Sequence, residues 1–234
     1  TLAWHFLIFG VLPYVVIAVL VLGSLARFVL APFSWKSQSS EILDKKDIFW
    51  GANLFHIGVI FLFCGHCFGL FTPTEWLNAA GPTPRLHQMM EIICGGLSAI
   101  VAITGLIILT WRRLTNERVR AASRPSDFWV LFLLLAVIIL GIGCVVNSYL
   151  YDKSGATIIL LGGWVRGLFS FDYQAWQNIL LVPDWQKAHI FVGLIIFLIV
   201  PFTRLVHIWS GYLSVFYLIR PHQIMRANNG KPMK

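Results

Sequence analysis

Four of the seven histidines lie inside two long apolar stretches, which is a costly place for an ionisable side chain. His56 and His66 belong to the stretch 48–71, and His189 and His207 belong to the stretch 188–209. Neutral imidazole binds transition metals through one ring nitrogen. Neither stretch contains an Asp or a Glu, which disfavours a proton pump or a cation transporter. The four histidines are therefore candidate metal ligands.

The composition indicates a membrane protein. Of the 234 residues, 58% are hydrophobic and 12% are charged, whereas soluble domains are roughly a quarter charged. Soluble globular, disordered, fibrous and disulfide-scaffold proteins are thereby excluded. Five apolar stretches are long enough to cross about 30 Å of hydrocarbon as helices. They cover about residues 4–33, 48–71, 89–111, 128–150 and 188–209.

These stretches predict an all-α integral membrane protein, a bundle of five transmembrane helices with kinks at Pro13 and Pro201. Residues 1–209 form one membrane domain in this prediction, and residues 210–234 form a basic tail. The long connection before the fifth helix is apolar and aromatic around 158–164, which predicts a short interfacial helix on the outer face.

Positive charges set the expected orientation. Fourteen of the 18 Lys and Arg residues lie in or beside the first connection, the third connection and the C-terminal side. Because cytoplasmic loops are rich in Lys and Arg, we predict that the N-terminus is outside and the C-terminus is cytoplasmic. The net charge of +8 is thus explained by membrane-flanking loops, and nucleic-acid binding is not predicted.

Depth in the membrane sorts the four histidines into two pairs. With the middle of the second stretch near residue 60, His56 lies about 6 Å toward the cytoplasm and His66 about 9 Å toward the outside. The fifth stretch runs the other way from a middle near residue 199, which puts His189 about 15 Å outward and His207 about 12 Å inward. His66 is therefore level with His189, and His56 with His207, each within about 6 Å.

Two imidazole pairs at two depths are the ligand sets that two bis-histidine haems require, and such haems carry electrons. His189 and His207 are 18 residues apart, so on one continuous helix they share a face. Nearby glycines would admit a flat macrocycle, or else they serve ordinary helix packing. These are Gly58, Gly65, Gly69 and Gly193. Three arginines would pair with haem propionates, or else they are membrane-flanking anchors. They are Arg112, Arg113 and Arg204.

Three segments give the chain a family resemblance: SSEILDK at 39–45, NLFHIG at 53–58 continuing through Gly65-His66 and Gly69 to Thr72-Pro73, and PFTRLVHIWS at 201–210. With these segments and the five-helix pattern, the chain resembles the gamma (cytochrome b) subunit of membrane-bound respiratory nitrate reductase. The resemblance covers nearly the whole chain and is weakest in the fourth connection and the tail.

The resemblance implies two b haems, one held by His66 and His189 near the outer face and one by His56 and His207 near the cytoplasm. It implies a prokaryotic inner-membrane subunit that oxidises quinol and passes electrons inward. The implied partners are a peripheral iron–sulfur subunit and a molybdenum catalytic subunit that reduces nitrate. This chain has no cysteine array for iron–sulfur clusters, so nitrate reduction belongs to another chain.

One position departs from the family pattern. A Lys near the outer haem is implicated in quinol binding in this family, and the matching residue here is His87, in the segment 85–89. Histidine accepts a proton and donates a hydrogen bond, so His87 is the expected quinol contact. The alternative is a loop histidine at the headgroup level.

Three other functions remain open on sequence alone. The same haem arrangement would suit a cytochrome b subunit of another respiratory complex, since catalytic identity lies in other chains. A haem-free membrane transporter with a path of histidines is the second alternative, and a purely structural membrane anchor is a third. A reduced-minus-oxidised spectrum separates the haem proteins from the transporter.

Overall fold

The computed structural model describes residues 2–31, 34, 48–79, 81 and 83–209, and regular structure within them is helical throughout. Six helices of more than ten residues are numbered here in chain order. They are α1 (Leu2–Leu30), α2 (Ile48–Phe71), α3 (Pro84–Thr115), α4 (Pro125–Tyr151), α5 (Ala156–Phe169) and α6 (Asp184–Ile199). Shorter helical segments cover Thr74–Ala79, Glu117–Ala121 and Ala175–Leu181.

Five segments are long and apolar enough to span a membrane: Leu2–Leu30, Ile48–Phe71, Pro84–Thr115, Pro125–Tyr151 and Asp184–Phe202. They confirm the predicted all-α fold with five spans. The predicted end of the first span at residue 33, the segment 39–45 and the tail 210–234 lie outside the described residues.

Helix α3 begins at Pro84, five residues before the predicted span at 89. Thr83 has extended backbone angles and its side chain accepts a hydrogen bond from the Leu86 backbone N–H, so it caps the helix. Proline suits the first helical position because the N–H it lacks has no partner there. Polar capping residues therefore extend the helix beyond its apolar stretch.

The two prolines act differently. A π-helical turn, Leu7–Val11, precedes Pro13, and α1 then continues to Leu30. At Pro201 the prediction of a kinked but continuous helix to residue 209 is wrong. Helix α6 ends at Ile199, and two 3₁₀ turns, Val200–Phe202 and Arg204–Val206, follow with extended Thr203 between them. Proline cannot donate the helical hydrogen bond, and here the helix stops at that point.

The helices pack as two groups joined through α3 and α4. Helix α2 packs along α3 so closely that a Cβ on Gly58 would lie 2.4 Å from the Ala102 backbone nitrogen. Helix α6 packs on α4 and α1 instead. In the described part of the chain, α2 and α6 face each other without packing extensively, although both carry the candidate histidines.

Helix α5 confirms the predicted short helix in the fourth connection. It packs against one end of the bundle, where Trp164 Nε1 donates to the Phe9 carbonyl over 2.8 Å. The Asp152 carboxylate precedes the helix and accepts hydrogen bonds from backbone N–H groups that include those of Gly155 and Thr157. Burial alone would raise the pKa of Asp152, but these hydrogen bonds outweigh it and lower the pKa to about 2.

Candidate functional site

The structure brings the four span histidines together in two pairs. The ring centres of His66 and His189 are 6.0 Å apart, and their planes are inclined by 21°. The ring centres of His56 and His207 are 6.1 Å apart, with planes inclined by 72°. These are the two pairs expected from depth. His207 reaches its partner although the helix that was expected to carry it is broken.

Each of the four imidazoles is held by a backbone carbonyl through Nδ1. His56 and His66 contact the carbonyls of Ala52 and Leu62, four residues earlier on α2, both over 2.7 Å. A carbonyl only accepts, so in each case Nδ1 carries the proton and donates, and Nε2 carries the lone pair.

The other two histidines are held in the same way. His189 Nδ1 donates to the Val137 carbonyl of α4 over 2.9 Å, and His207 Nδ1 donates to the Arg204 carbonyl over 2.7 Å. A carbonyl behind Nδ1 is the usual support for a metal-binding histidine. The contact between His189 and the Val137 carbonyl could not be predicted from the sequence pattern.

The spacing of the pairs fits two axial ligands on one metal atom. Bonds of about 2 Å from each nitrogen to a shared metal would separate the ring centres by about 6 Å. The described residues contain no group of three or more His, Cys, Asp or Glu side chains suited to a metal ion. A metal at either pair would thus take its remaining ligands from a cofactor, as iron does in a porphyrin.

The glycines near the histidines divide into two kinds. A Cβ on Gly65 or Gly193 would meet nothing within 4 Å, so both border open space. Gly58 contacts Ala102, and a Cβ on Gly69 would collide with the Glu91 carboxylate at Oε1. The packing alternative therefore holds for Gly58 and Gly69. The role of Gly65 and Gly193 beside a flat cofactor stays a prediction.

A buried carboxylate joins the arginines near His207. Asp127, 3% exposed at the start of α4, accepts from Arg204 through Nε over 2.7 Å and through Nη2. It also accepts from Arg113 Nη1 over 3.3 Å. Arg112 is buried nearby in sequence. Asp127 was not among the predicted site residues, although an acidic residue at the start of an apolar stretch was a usable signal. Propionate contact by Arg113 and Arg204 stays a prediction.

His87 lies in the first turn of α3 and is 6% exposed, so it is not a loop residue. Its Nε2 has no hydrogen-bond partner and lies 3.5 Å from Glu91 Oε1, one helical turn further on. Its ring meets the edge of Phe68 with centres 6.2 Å apart. Glu91 was not anticipated as its neighbour, although the spacing of four residues on one helix would have indicated it.

The fold and the two histidine pairs define a class: a multi-pass helical membrane protein that holds paired imidazoles at two levels between its helices. The family model described as "Nitrate reductase gamma subunit" matches residues 5–228. The chain belongs to this family.

Curated relatives agree with this assignment. The chain is 35% identical over 219 residues to the respiratory nitrate reductase 2 gamma chain of Escherichia coli (strain K12), covering 94% of this chain and 95% of that one. It is 35% identical over 221 residues to the respiratory nitrate reductase 1 gamma chain of the same organism, covering 94% and 96%. It is 34% identical over 224 residues to the nitrate reductase gamma chain of Bacillus subtilis (strain 168), covering 95% and 98%.

Proposed function

We propose that this chain is the quinol-oxidising cytochrome b subunit of a respiratory nitrate reductase in a prokaryotic cell membrane. The observation that carries the proposal is the pair of imidazole contacts, 6.0 and 6.1 Å between ring centres, in a member of the nitrate reductase gamma family. Membership of this family supports the assignment to a nitrate reductase complex, and the geometry of the histidine pairs supports the electron-transfer role.

His66 and His189 would hold one b haem, and His56 and His207 would hold the other. When bound, the two haems would supply one-electron carriers at two depths. The chain's own contribution is orientation. Each Nδ1 is fixed on a carbonyl, which leaves Nε2 with its lone pair available to a metal.

The orientation across the membrane follows from charge. The connection between α3 and α4 carries Arg118, Arg120 and Arg124 and lies at the end of the bundle that holds the His56–His207 pair. Cytoplasmic loops are rich in arginine, so this end is the inner one and the His66–His189 end is the outer one. The basic inner end would dock the iron–sulfur subunit, which feeds the molybdenum subunit.

Quinol would be oxidised at the outer end, beside His87. Its buried Nε2 has no hydrogen-bond partner, and in the tautomer with the lone pair on Nε2 it can accept the proton of a quinol hydroxyl. Glu91 lies 3.5 Å away, so a carboxylate stands next to the imidazole that takes the proton. Oxidation of each quinol would release two protons on the outer side, and the haems that the four histidines would hold would supply the electron acceptors.

The test uses the complex purified through an affinity tag on this chain. We expect it to contain an iron–sulfur subunit and a molybdenum subunit, to show the absorption band of b haem after reduction, and to hold two haems per copy of this chain. His66→Ala and His207→Ala should each remove one haem. The matched control is His5→Ala, because the His5 ring packs against Phe9 and belongs to neither histidine pair. This variant should keep both haems.

Absence of the b-haem band, or fewer than two haem irons per chain, would overturn the electron-transfer role. Co-purification of a different catalytic subunit, with both haems present, would leave that role intact and reject nitrate reduction.

A further inference from the structure

The break in the fifth span leaves backbone carbonyls that the helix no longer uses. Arg27, on α1, donates through Nη1 to the carbonyls of Pro201 and Thr203 over 2.7 and 2.8 Å. In a membrane such groups need a partner from the protein itself. The segment 200–207 therefore takes its position from side chains of other helices, since its own helical hydrogen bonds are interrupted.

The second of these attachments is Asp127 on α4. Its carboxylate holds the Arg204 guanidinium through both oxygens, across 77 positions of sequence. Arg113 of α3 and the backbone N–H of Arg124 donate to the same carboxylate. Asp127 thus ties α3, α4 and the broken segment together at one buried point.

The contact continues from Arg204 to the imidazole. The Arg204 carbonyl accepts from His207 Nδ1 over 2.7 Å, and Arg204 begins the 3₁₀ turn that ends just before His207. The carbonyl and the guanidinium belong to the same residue, so a shift of the guanidinium moves the turn and its carbonyl. Arg204 thus links the Asp127 carboxylate to the His207 ring.

We propose that Asp127 is a positioning residue for His207, and that its charge sets the ligand geometry of the inner haem. This inference rests on the proposed ligation by His56 and His207. A buried ion pair often adds little net stability, because the desolvation of both charges offsets their attraction. The two-oxygen contact with Arg204 is suited to fixing a direction, since guanidinium and carboxylate match in a planar fork.

The experiment measures each haem in the whole complex in native membranes. Electron paramagnetic resonance of the oxidised protein reports the angle between the two imidazole planes of a bis-histidine haem, and redox titration gives each midpoint potential. His56→Ala and His66→Ala assign the two signals to the inner and outer haem. The test variant is Asp127→Asn, which keeps the shape of the side chain and removes its charge. Asp152→Asn is the control, because it alters a carboxylate of similar helix-capping role at the outer end.

With Asp127→Asn we expect the inner-haem resonance to shift, or the inner haem to be lost, while the outer-haem resonance stays in place. Asp152→Asn should leave both resonances unchanged. Arg204→Lys keeps the positive charge and loses the two-pronged contact, so it should shift the same resonance by a smaller amount. If the Asp127→Asn complex does not assemble, Arg204→Lys is the variant that tests the inference.

An inner-haem resonance and potential equal to those of the parent in the assembled variants would overturn the inference. Equal shifts of both haems would overturn it as well, because they would indicate a general loosening of the bundle. If the unmodified complex shows no haem signal at all, the proposed function fails first, and the two failures are thereby distinguished.

Discussion

The two histidine pairs are built in different ways. In the proposed orientation, the end with His66 and His189 is the outer end and the end with His56 and His207 is the inner end. At the outer end, His66 and His189 both lie in continuous helices, and His189 is fixed by a carbonyl of the adjacent α4. At the inner end, His56 lies in a continuous helix, but His207 lies beyond a helix break. Apolar helix packing positions the outer pair, whereas charged side chains position half of the inner pair.

The difference extends to the charges around each pair. The inner carboxylate, Asp127, is saturated by two arginines and a backbone N–H. At the outer end the buried His87 Nε2 has no hydrogen-bond partner, and Glu91 is its nearest charged neighbour. A saturated cluster is suited to holding a geometry. A group that still has hydrogen-bonding capacity is suited to exchanging a proton with a bound molecule.

The largest effect is expected at His87. His87→Leu removes the proton acceptor, and general base catalysis is commonly worth about 100-fold or more. We expect quinol-dependent haem reduction in stopped-flow measurements to slow by at least about 100-fold. Haem content and nitrate reduction from an artificial donor to the catalytic subunit should be unchanged. An unaltered rate of haem reduction would remove His87 from the quinol site and weaken the contrast between the two ends.

Arg27→Met should destabilise the inner end alone. The change leaves the carbonyls of Pro201 and Thr203 without their donor, and a buried unsatisfied group costs about 1–3 kcal/mol. We expect the inner-haem absorbance to bleach at lower denaturant concentration than in the parent.

Arg166→Met is the matched comparison for Arg27→Met. Arg166 Nη1 donates to the carbonyls of Leu70 and Thr72 at the outer end of α2, both over 3.1 Å. Arg166→Met should cause the outer-haem absorbance to bleach at lower denaturant concentration than in the parent. If either variant destabilises both haems equally, the two ends are not independent.

The smallest effect is expected for Asp152→Asn. Asparagine retains one acceptor oxygen, so loss of the second should cost less than about 1 kcal/mol of unfolding free energy at neutral pH. The folded-state pKa of Asp152, about 2, lies below its usual value of 3.8. The carboxylate therefore stabilises the fold above about pH 4, and this contribution is lost as the pH falls toward 2. The unfolding free energies of parent and variant, measured by denaturant titration, should converge as the pH falls from about 4 to about 2. A difference that persists at pH 2 would show that the ionised carboxylate is not the source of the stabilisation.

Hydropathy predicted the five spans, because chain length and apolar content alone decide whether a helix crosses a membrane. Depth along two antiparallel helices was also enough to anticipate that His66 lies near His189. The ends of the helices were harder. Thr83 and Pro84 extend α3 by capping, which hydropathy does not measure.

The inner cluster could not be predicted from local patterns. Asp127 and Arg204 meet across 77 positions, and their contact depends on how α4 packs beside the broken segment. Pro201 indicated that the helix would be interrupted, but a proline is found both in helices that kink and continue and in helices that end. In the stopped helix that forms, Arg27 of another helix donates hydrogen bonds to the freed carbonyls, and the local sequence around Pro201 carries no sign of this donor.

The near contact of α2 and α3 backbones at Gly58 and Gly105 has a consequence for proton-coupled electron transfer. A Cβ on Gly105 would lie 2.3 Å from the Phe55 nitrogen, so the two backbones approach more closely than any residue with a side chain would allow. His66 stands on one of these helices and His87 on the other. If His87 contacts quinol and His66 binds the outer haem as proposed, the close packing of α2 and α3 would hold these two sites at a fixed spacing.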